Sequence, residues 1–170
     1  MLTQQRLKEL VSYDPETGEM RWLNITSKRV HVGDIVGGIQ SDGRTLTSID
    51  GKRYRLHRLA WLYMTGSFPS DEFQIDHINR IPSDNRWCNL RLATSSQNLA
   101  NRKMYSSNTS GHKGIRFDAQ RRKWRVNLNF GGTKLMKRYD TLEEAIEARD
   151  VAEQKWFGSF RPNDTYIKAS

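Results

Sequence analysis

The stretch from Ile75 to Asn98 constrains the fold most, because it breaks into four short pieces in a fixed order. Phe73 to Asp76 reads as a brief strand, and Asn79 to Trp87 as a polar loop that turns at Pro82-Ser83-Asp84-Asn85. Leu90 to Ala93 reads as a second short strand. Thr94 then opens a helix, and Thr94 with Gln97 fits a capping box. That helix carries Asn98, Asn101 and Arg102. A hairpin and a helix of this length can bring Asp76, His77 and Asn98 together.

The flanking sequence is equally broken up. Leu2 to Val11 predicts a short helix, Asp14-Pro15-Glu16-Thr17-Gly18 a turn, and Glu19 to Leu23 a strand around Trp22. Arg44 to Ile49 and Arg53 to Leu56 flank Asp50-Gly51, a type I′ hairpin signal. His57 to Met64 has Leu59, Leu62 and Tyr63 at helical spacing. Ser106 to Gly111 is small and polar and reads as a linker. Beyond it come three strand-like stretches, Gly114 to Asp118, Lys123 to Phe130 and Lys134 to Tyr139. Thr141-Leu142-Glu143-Glu144 then forms a second capping box. It opens a helix with Leu142, Ala145, Ile146, Ala152 and Trp156 on one face, closed by Gly158.

Charge is concentrated. The 170 residues carry a formal net charge of +9. Residues 101–140 hold eleven Lys or Arg and two acids, Asp118 and Asp140, so this block alone accounts for +9 and the rest sums to zero. Such a block attracts a polyanion, ordinarily a phosphate backbone. Its bases interleave with Trp124, Val126, Leu128 and Phe130, which is strand alternation and not a basic amphipathic helix on a membrane. No stretch approaches the roughly 18 apolar residues of a membrane helix. The start lacks a signal-peptide run, so the expectation is a cytoplasmic, unsecreted protein. The single cysteine, Cys88, excludes a disulfide framework and a multi-cysteine zinc site, and reads as a buried small residue.

The chemistry of Asp76, His77 and Asn98 follows from residue type. A carboxylate and an amide oxygen suit a hard divalent ion such as Mg²⁺, which stabilises charge on a phosphate and its leaving oxygen. Water attacking a phosphodiester must lose a proton, and a neutral imidazole with a pKa near ~6.5 suits that role.

These residues, with Asn89, resemble the HNH or ββα-metal endonucleases of the phage and intron homing type. In that branch Asp-His is followed by Asn and then by a helical Asn. Leu56-His57-Arg58-Leu59-Ala60-Trp61 and Asp84-Asn85-Arg86 resemble two further elements, and the likeness covers roughly residues 13–104. The resemblance implies that Asp76 and Asn98 bind one Mg²⁺ (or Mn²⁺) per active site and that His77 is the general base. It implies that Asn89 bonds across the loop and holds His77, and that the products carry 5′-phosphate and 3′-hydroxyl ends. Arg80 stands where the family often has Gly, so the loop is expected to turn differently. His57 reads as a hydrogen-bonded scaffold histidine behind the site. Arg86 and Arg91 either contact phosphate or are simply exposed.

Residues 109–158 resemble the Apetala-type DNA-binding domain, a three-stranded antiparallel sheet on one helix. Gly114-Ile115-Arg116, Lys123-Trp124-Arg125-Val126 and Tyr139 to Ala145 carry the likeness. It implies DNA contact by Arg116, Trp124 and Arg125 and phosphate contact by Lys123, Lys134 and Arg138. Trp124 has the alternative of packing against the helix, since alternation does not say which face is covered.

The expectation is an α+β protein. A β-rich extension leads into a ββα-metal nuclease core over residues 1–105, a linker covers 106–112, and a DNA-binding domain covers 113–170. Its partner is double-stranded DNA, bound by a monomer that nicks or a homodimer that cuts both strands. Two rival readings are a DNA-binding regulator with a degenerate nuclease fold and an RNA-binding protein that uses the basic sheet.

Overall fold

A computed structural model describes residues 1–25, 29–102 and 108–160. Its contacts divide the chain into two units, Met1–Ser95 and Ser96–Ser170, and both mix short strands with helices in an α+β arrangement. Residues 106–107 of the expected linker and 161–170 of the expected second domain lie outside the described residues.

In the first unit, α1 (Gln4–Leu10) starts where Thr3 Oγ1 accepts the Arg6 N–H. It stops one residue short of the predicted end. β-branched Val11 opens β1 (Val11–Tyr13), which pairs with β2 (Met20–Trp22), Val11 opposite Trp22. A small antiparallel sheet follows, with β4 (Thr45–Ile49) between β3 (Gly38–Ile39) and β5 (Lys52–Arg55). At its hairpin Asp50 and Gly51 both take positive φ, 48° and 74°, as a type I′ turn requires. Next, α2 (Leu56–Thr65) buries Leu56, His57, Leu59, Ala60 and Leu62 and ends on left-handed Gly66. The unit's core centres on Leu7, Val11, Met20, Val36, Leu59 and Leu62. An antiparallel hairpin, β6 (Gln74–His77) with β7 (Leu90–Ala93), completes it.

The turn after β1 reaches across to the β6–β7 loop. Tyr13 Oη donates to Asn85 O at 2.7 Å, and the Trp87 N–H donates to Pro15 O at 2.9 Å. Gly18, at φ 76°, lies against the Asn85–Arg86 peptide so closely that a Cβ there would be 2.5 Å from Arg86 N. Only glycine fits both the conformation and the gap.

The division at Ser95 falls inside α3 (Ser95–Ala100), whose Ala100 packs into the second unit's core. There β9 (Lys123–Phe130) lies between β8 (Ile115–Asp118) and β10 (Thr133–Tyr139). This sheet is covered by α4 (Leu142–Phe157), whose capping box of Thr141 and Glu144 forms as predicted. The helix face differs from the prediction. Ala145, Arg149, Glu153 and Phe157 are buried, while Leu142, Ile146 and Trp156 are only partly covered. Two charged residues occupy the inner stripe because they pair, with Arg149 Nη2 2.8 Å from Glu153 Oε1. Among the described residues no helix is long and apolar enough to cross a membrane.

Candidate active site and basic sheet face

Asp76 and His77 are adjacent on β6 and therefore point to opposite sides of the hairpin, yet both are buried. Asp76 sits directly opposite Arg91 in the strand register. Arg91 Nε and Nη2 both lie 2.9 Å from Asp76 Oδ2, and the arginine side chain is only 16% exposed. Arg91 is therefore an internal partner of the site's carboxylate and not an exposed cation.

On the other side, His77 Nε2 is 3.4 Å from Asn85 Oδ1, and Asn85 Nδ2 donates to Ser83 O at 3.1 Å. That second bond sets the amide so that its oxygen faces the ring. The His57 ring stands edge-on to His77, centroids 5.1 Å apart. Burial pushes the pKa of His57 down to about 3, with the neighbouring His77 and the arginines Arg44, Arg55 and Arg58 acting the same way. Burial likewise lowers His77, against the opposing contributions of Asn85 and Asp76. Both rings are therefore neutral at neutral pH. His57 supports the site through ring packing, where a hydrogen-bonded role was expected.

Asn89 bonds across the loop as expected. Its Oδ1 accepts the Asn79 N–H at 2.9 Å and its Nδ2 donates to Asp84 O at 2.8 Å. The side chain that faces His77 is Asn85. Arg80 adopts φ 61°, so the loop takes the left-handed turn that glycine favours without having one. The local cost is about 1 kcal/mol. Arg86 is paired with Asp84 at 2.7 Å. This pairing, with the Asn79 side chain, holds the Asp84 carboxyl down at about 2. Cys88 is exposed, contrary to expectation. The one-turn 3-10 helix Trp87–Asn89 sends Asn89 inward to the loop and Trp87 against Trp61, ring centroids 5.0 Å apart, and leaves Cys88 outside.

The first unit thus brings Asp76, His77 and Asn89 together. Asn98 lies on α3, in the second unit. Among the described residues no group of three or more His, Cys, Asp or Glu side chains is placed to hold a metal. A site of one carboxylate and one amide would not form such a group.

In the second unit, Trp124, Val126, Leu128 and Phe130 belong to the core beneath α4. The intervening Arg125, Asn127 and Asn129 face away from it. Trp124, tilted against Phe117 at 5.1 Å, is therefore a packing residue and leaves the candidate DNA-contact set. On the outer face Arg116, Arg125 and Arg138 stand side by side in one cross-strand row. Lys134 pairs opposite Asn129 on the same face. Arg138 Nε is 3.0 Å from Asp118 Oδ2, and Lys123 Nζ is 2.9 Å from Asp140. Sequence alternation found the basic residues but gave no sign of these ion pairs, and the Asp84-Asn85-Arg86 element does not by itself show the contact of Asn85 to His77.

The HNH endonuclease family matches residues 54–100. Protein 3.8 of Escherichia phage T7 is 35% identical over 95 residues, covering 56% of this chain and 78% of that protein. The uncharacterized HNH endonuclease L560 of Acanthamoeba polyphaga mimivirus is 32% identical over 114 residues, 66% of this chain and 58% of its own length. The solved structure of the HNH homing endonuclease I-HmuI, a protein that binds and cleaves DNA, aligns with a TM-score of 0.41 at 20% identity. The alignment spans 85% of this chain and 82% of that one.

Proposed function

The chain belongs to the HNH endonuclease family, and on that footing we propose that it is a metal-dependent DNA endonuclease with His77 as its general base. The observation that carries this reading is the buried Asp76–His77 pair on β6, with a ring nitrogen turned to the oxygen of a fixed amide. We assign Nε2 as the donor to Asn85 Oδ1, which leaves the proton of the attacking water to Nδ1. Asn89 holds the loop that presents the ring.

Asp76 would be a ligand of one divalent ion of the Mg²⁺ or Mn²⁺ class, and Asn98 is the second ligand that the family resemblance names. The donor chemistry fits, because a carboxylate and an amide carbonyl are both hard oxygen ligands. When bound, the ion stabilises charge on the scissile phosphate and the leaving 3′-oxygen. Arg91 keeps the Asp76 carboxylate oriented, and Arg86, already tied to Asp84, stiffens the loop.

The second unit's three-stranded antiparallel sheet under one helix is compatible with the Apetala-type resemblance, and we propose that it binds duplex DNA. Arg116 and Arg125 are the base-contact candidates, and Lys123, Lys134 and Arg138 contact phosphates. A sheet face fits the major groove of ~12 Å, where Arg bonds guanine in bidentate fashion.

Supercoiled plasmid with Mg²⁺ tests the reading. The wild type is expected to nick or linearise it, with loss of cutting in EDTA and in His77→Ala while binding persists. A protein that shifts duplex DNA in gels but never cuts would be a regulator. Preferential binding of RNA would overturn the DNA assignment.

A further inference from the structure

The charges around His77 are mostly cancelled in pairs within the first unit. Asp76 is matched by Arg91, Asp84 by Arg86, and Asp42 by Arg44. Arg55 is exposed and forms no ion pair among the described residues, although its charge is felt at Asp42. The first turn of α2, which it precedes, holds no acid either.

Two features of the backbone carry Arg44 and Arg55 to the flank of the site. The turn from Gln40 to Arg44 is closed by hydrogen bonds from the Gln40 N–H to Arg44 O and from the Gly43 N–H to Gln40 O. It lies against the loop after β6, since a Cβ on Gly43 would meet Pro82 Cγ at 3.7 Å. Arg55 ends β5 opposite Leu46, two residues before His57, whose ring touches that of His77. The positive charge of Arg44 is felt at both imidazoles, and that of Arg55 at His57 and at Asp42. The Asp42–Arg44 pair joins neighbours on an exposed turn, with side chains 45% and 39% exposed. Such a pair is weak and readily exchanged.

We propose that Arg44 and Arg55 form a phosphate-binding site beside His77 that grips a backbone phosphate next to the scissile one on the cut strand. Asp42 occupies Arg44 when DNA is absent, and a phosphate replaces it. The guanidinium fork accepts a phosphate in bidentate geometry, which a lysine ammonium does not. The site rests on the reading of His77 as general base. It supplies what the motif itself lacks, because Arg86 and Arg91 are both committed to internal carboxylates.

The full chain, as wild type, Arg44→Gln, Arg55→Gln, Arg44→Lys and Lys52→Gln, is assayed for plasmid nicking in Mg²⁺. Duplex binding is measured in EDTA across salt concentrations. Lys52 lies at the opposite end of β5 and removes the same charge, so it controls for net charge. Loss of a bidentate phosphate contact is expected to slow nicking at subsaturating DNA about tenfold in each Gln variant. It is also expected to reduce the log–log salt slope of binding by about 0.9. Arg44→Lys should retain the slope but not the full rate, and Lys52→Gln should retain both. Equal urea midpoints establish that the variants are folded. Wild-type rate and slope in both Gln variants would overturn the proposal, as would a loss no larger than that of Lys52→Gln. If the wild type binds but does not cut, the general-base reading falls, and the salt slopes alone decide the phosphate site.

Discussion

Replacing Gly18 by alanine tests whether the β1–β2 turn sets the geometry of His77. Gly18 and Gly51 have nearly the same backbone conformation, φ 76° and 74°, and both lie in the first unit. A Cβ on Gly51 meets nothing within 4 Å, so Gly51→Ala carries only the left-handed strain of about 1 kcal/mol. A Cβ on Gly18 would be 2.5 Å from both Arg86 N and Asn85 C, backbone atoms that move only with the whole segment. Ordinary contact begins near ~3.5 Å, so that segment must retreat by about 1 Å. Overpacking of this kind adds roughly 1–3 kcal/mol to the strain. Gly18→Ala should therefore cost about 2–4 kcal/mol, and the excess over Gly51→Ala measures the clash.

The displaced segment is the one that holds Asn85. Its contact with His77 is already 3.4 Å, and a retreat of this size ends it. Under conditions where both variants are folded, Gly18→Ala should nick plasmid on the order of 100-fold more slowly, and Gly51→Ala at close to the wild-type rate. Urea unfolding followed by tryptophan fluorescence gives the stabilities, and initial nicking rates give the site effect. Equal midpoints for the two variants would refute the clash. A Gly18→Ala protein that cuts at full rate would refute the claim that the turn positions the ring.

Arg91→Ala removes an ion-pair partner of the buried Asp76 carboxylate and should lower stability by about 3 kcal/mol in denaturant titrations, whereas Asp76→Asn should cost less because the charge it leaves, on Arg91, belongs to a longer and more exposed side chain. His57 has a folded pKa of about 3 against an ordinary 6.5, so its contribution to stability is complete above 6.5 and lost as pH falls toward 3. The full loss is on the order of 5 kcal/mol. His57→Gln should flatten the stability–pH curve most visibly between pH 6.5 and 5, before carboxylates titrate, and an unchanged slope would contradict the burial of the neutral ring. In the second unit, Trp124→Ala should lower stability by about 2–3 kcal/mol. Arg125→Ala should leave stability within about 0.5 kcal/mol and reduce the salt slope of DNA binding by about 0.9.

The elements legible in the sequence were those set by a local rule. Asp50-Gly51 specifies its hairpin because both residues tolerate positive φ, and Thr141 with Glu144 caps α4 because the two side chains satisfy each other's backbone. What local rules miss are partners chosen in three dimensions. Arg149 and Glu153 break the apolar stripe of α4, and hydropathy cannot place them inside. Their mutual pairing offsets the cost of that burial, and Asp150 lies 3.7 Å from the same guanidinium. Trp124 shows the same limit from the other side, since alternation separates two faces but does not say which one a helix covers.

The proposed catalytic motif rests on residue type and order, and the hairpin shows why periodicity could not have found it. Ile75, Asp76 and His77 are all buried, so β6 lacks the in–out alternation that marks a half-exposed strand. A four-residue strand covered on both faces has little hydrophobic pattern to hold its register, and a slip of one residue would exchange the positions of Asp76 and His77. The register is instead held by polar contacts on each face, Asp76 to Arg91 on one and His77 to Asn85 on the other. Neither Arg91 nor Asn85 needs to touch substrate to be required for cutting. The two acts the motif must perform, presenting a carboxylate and presenting a neutral ring, each depend on a partner that pins one face of the same short strand.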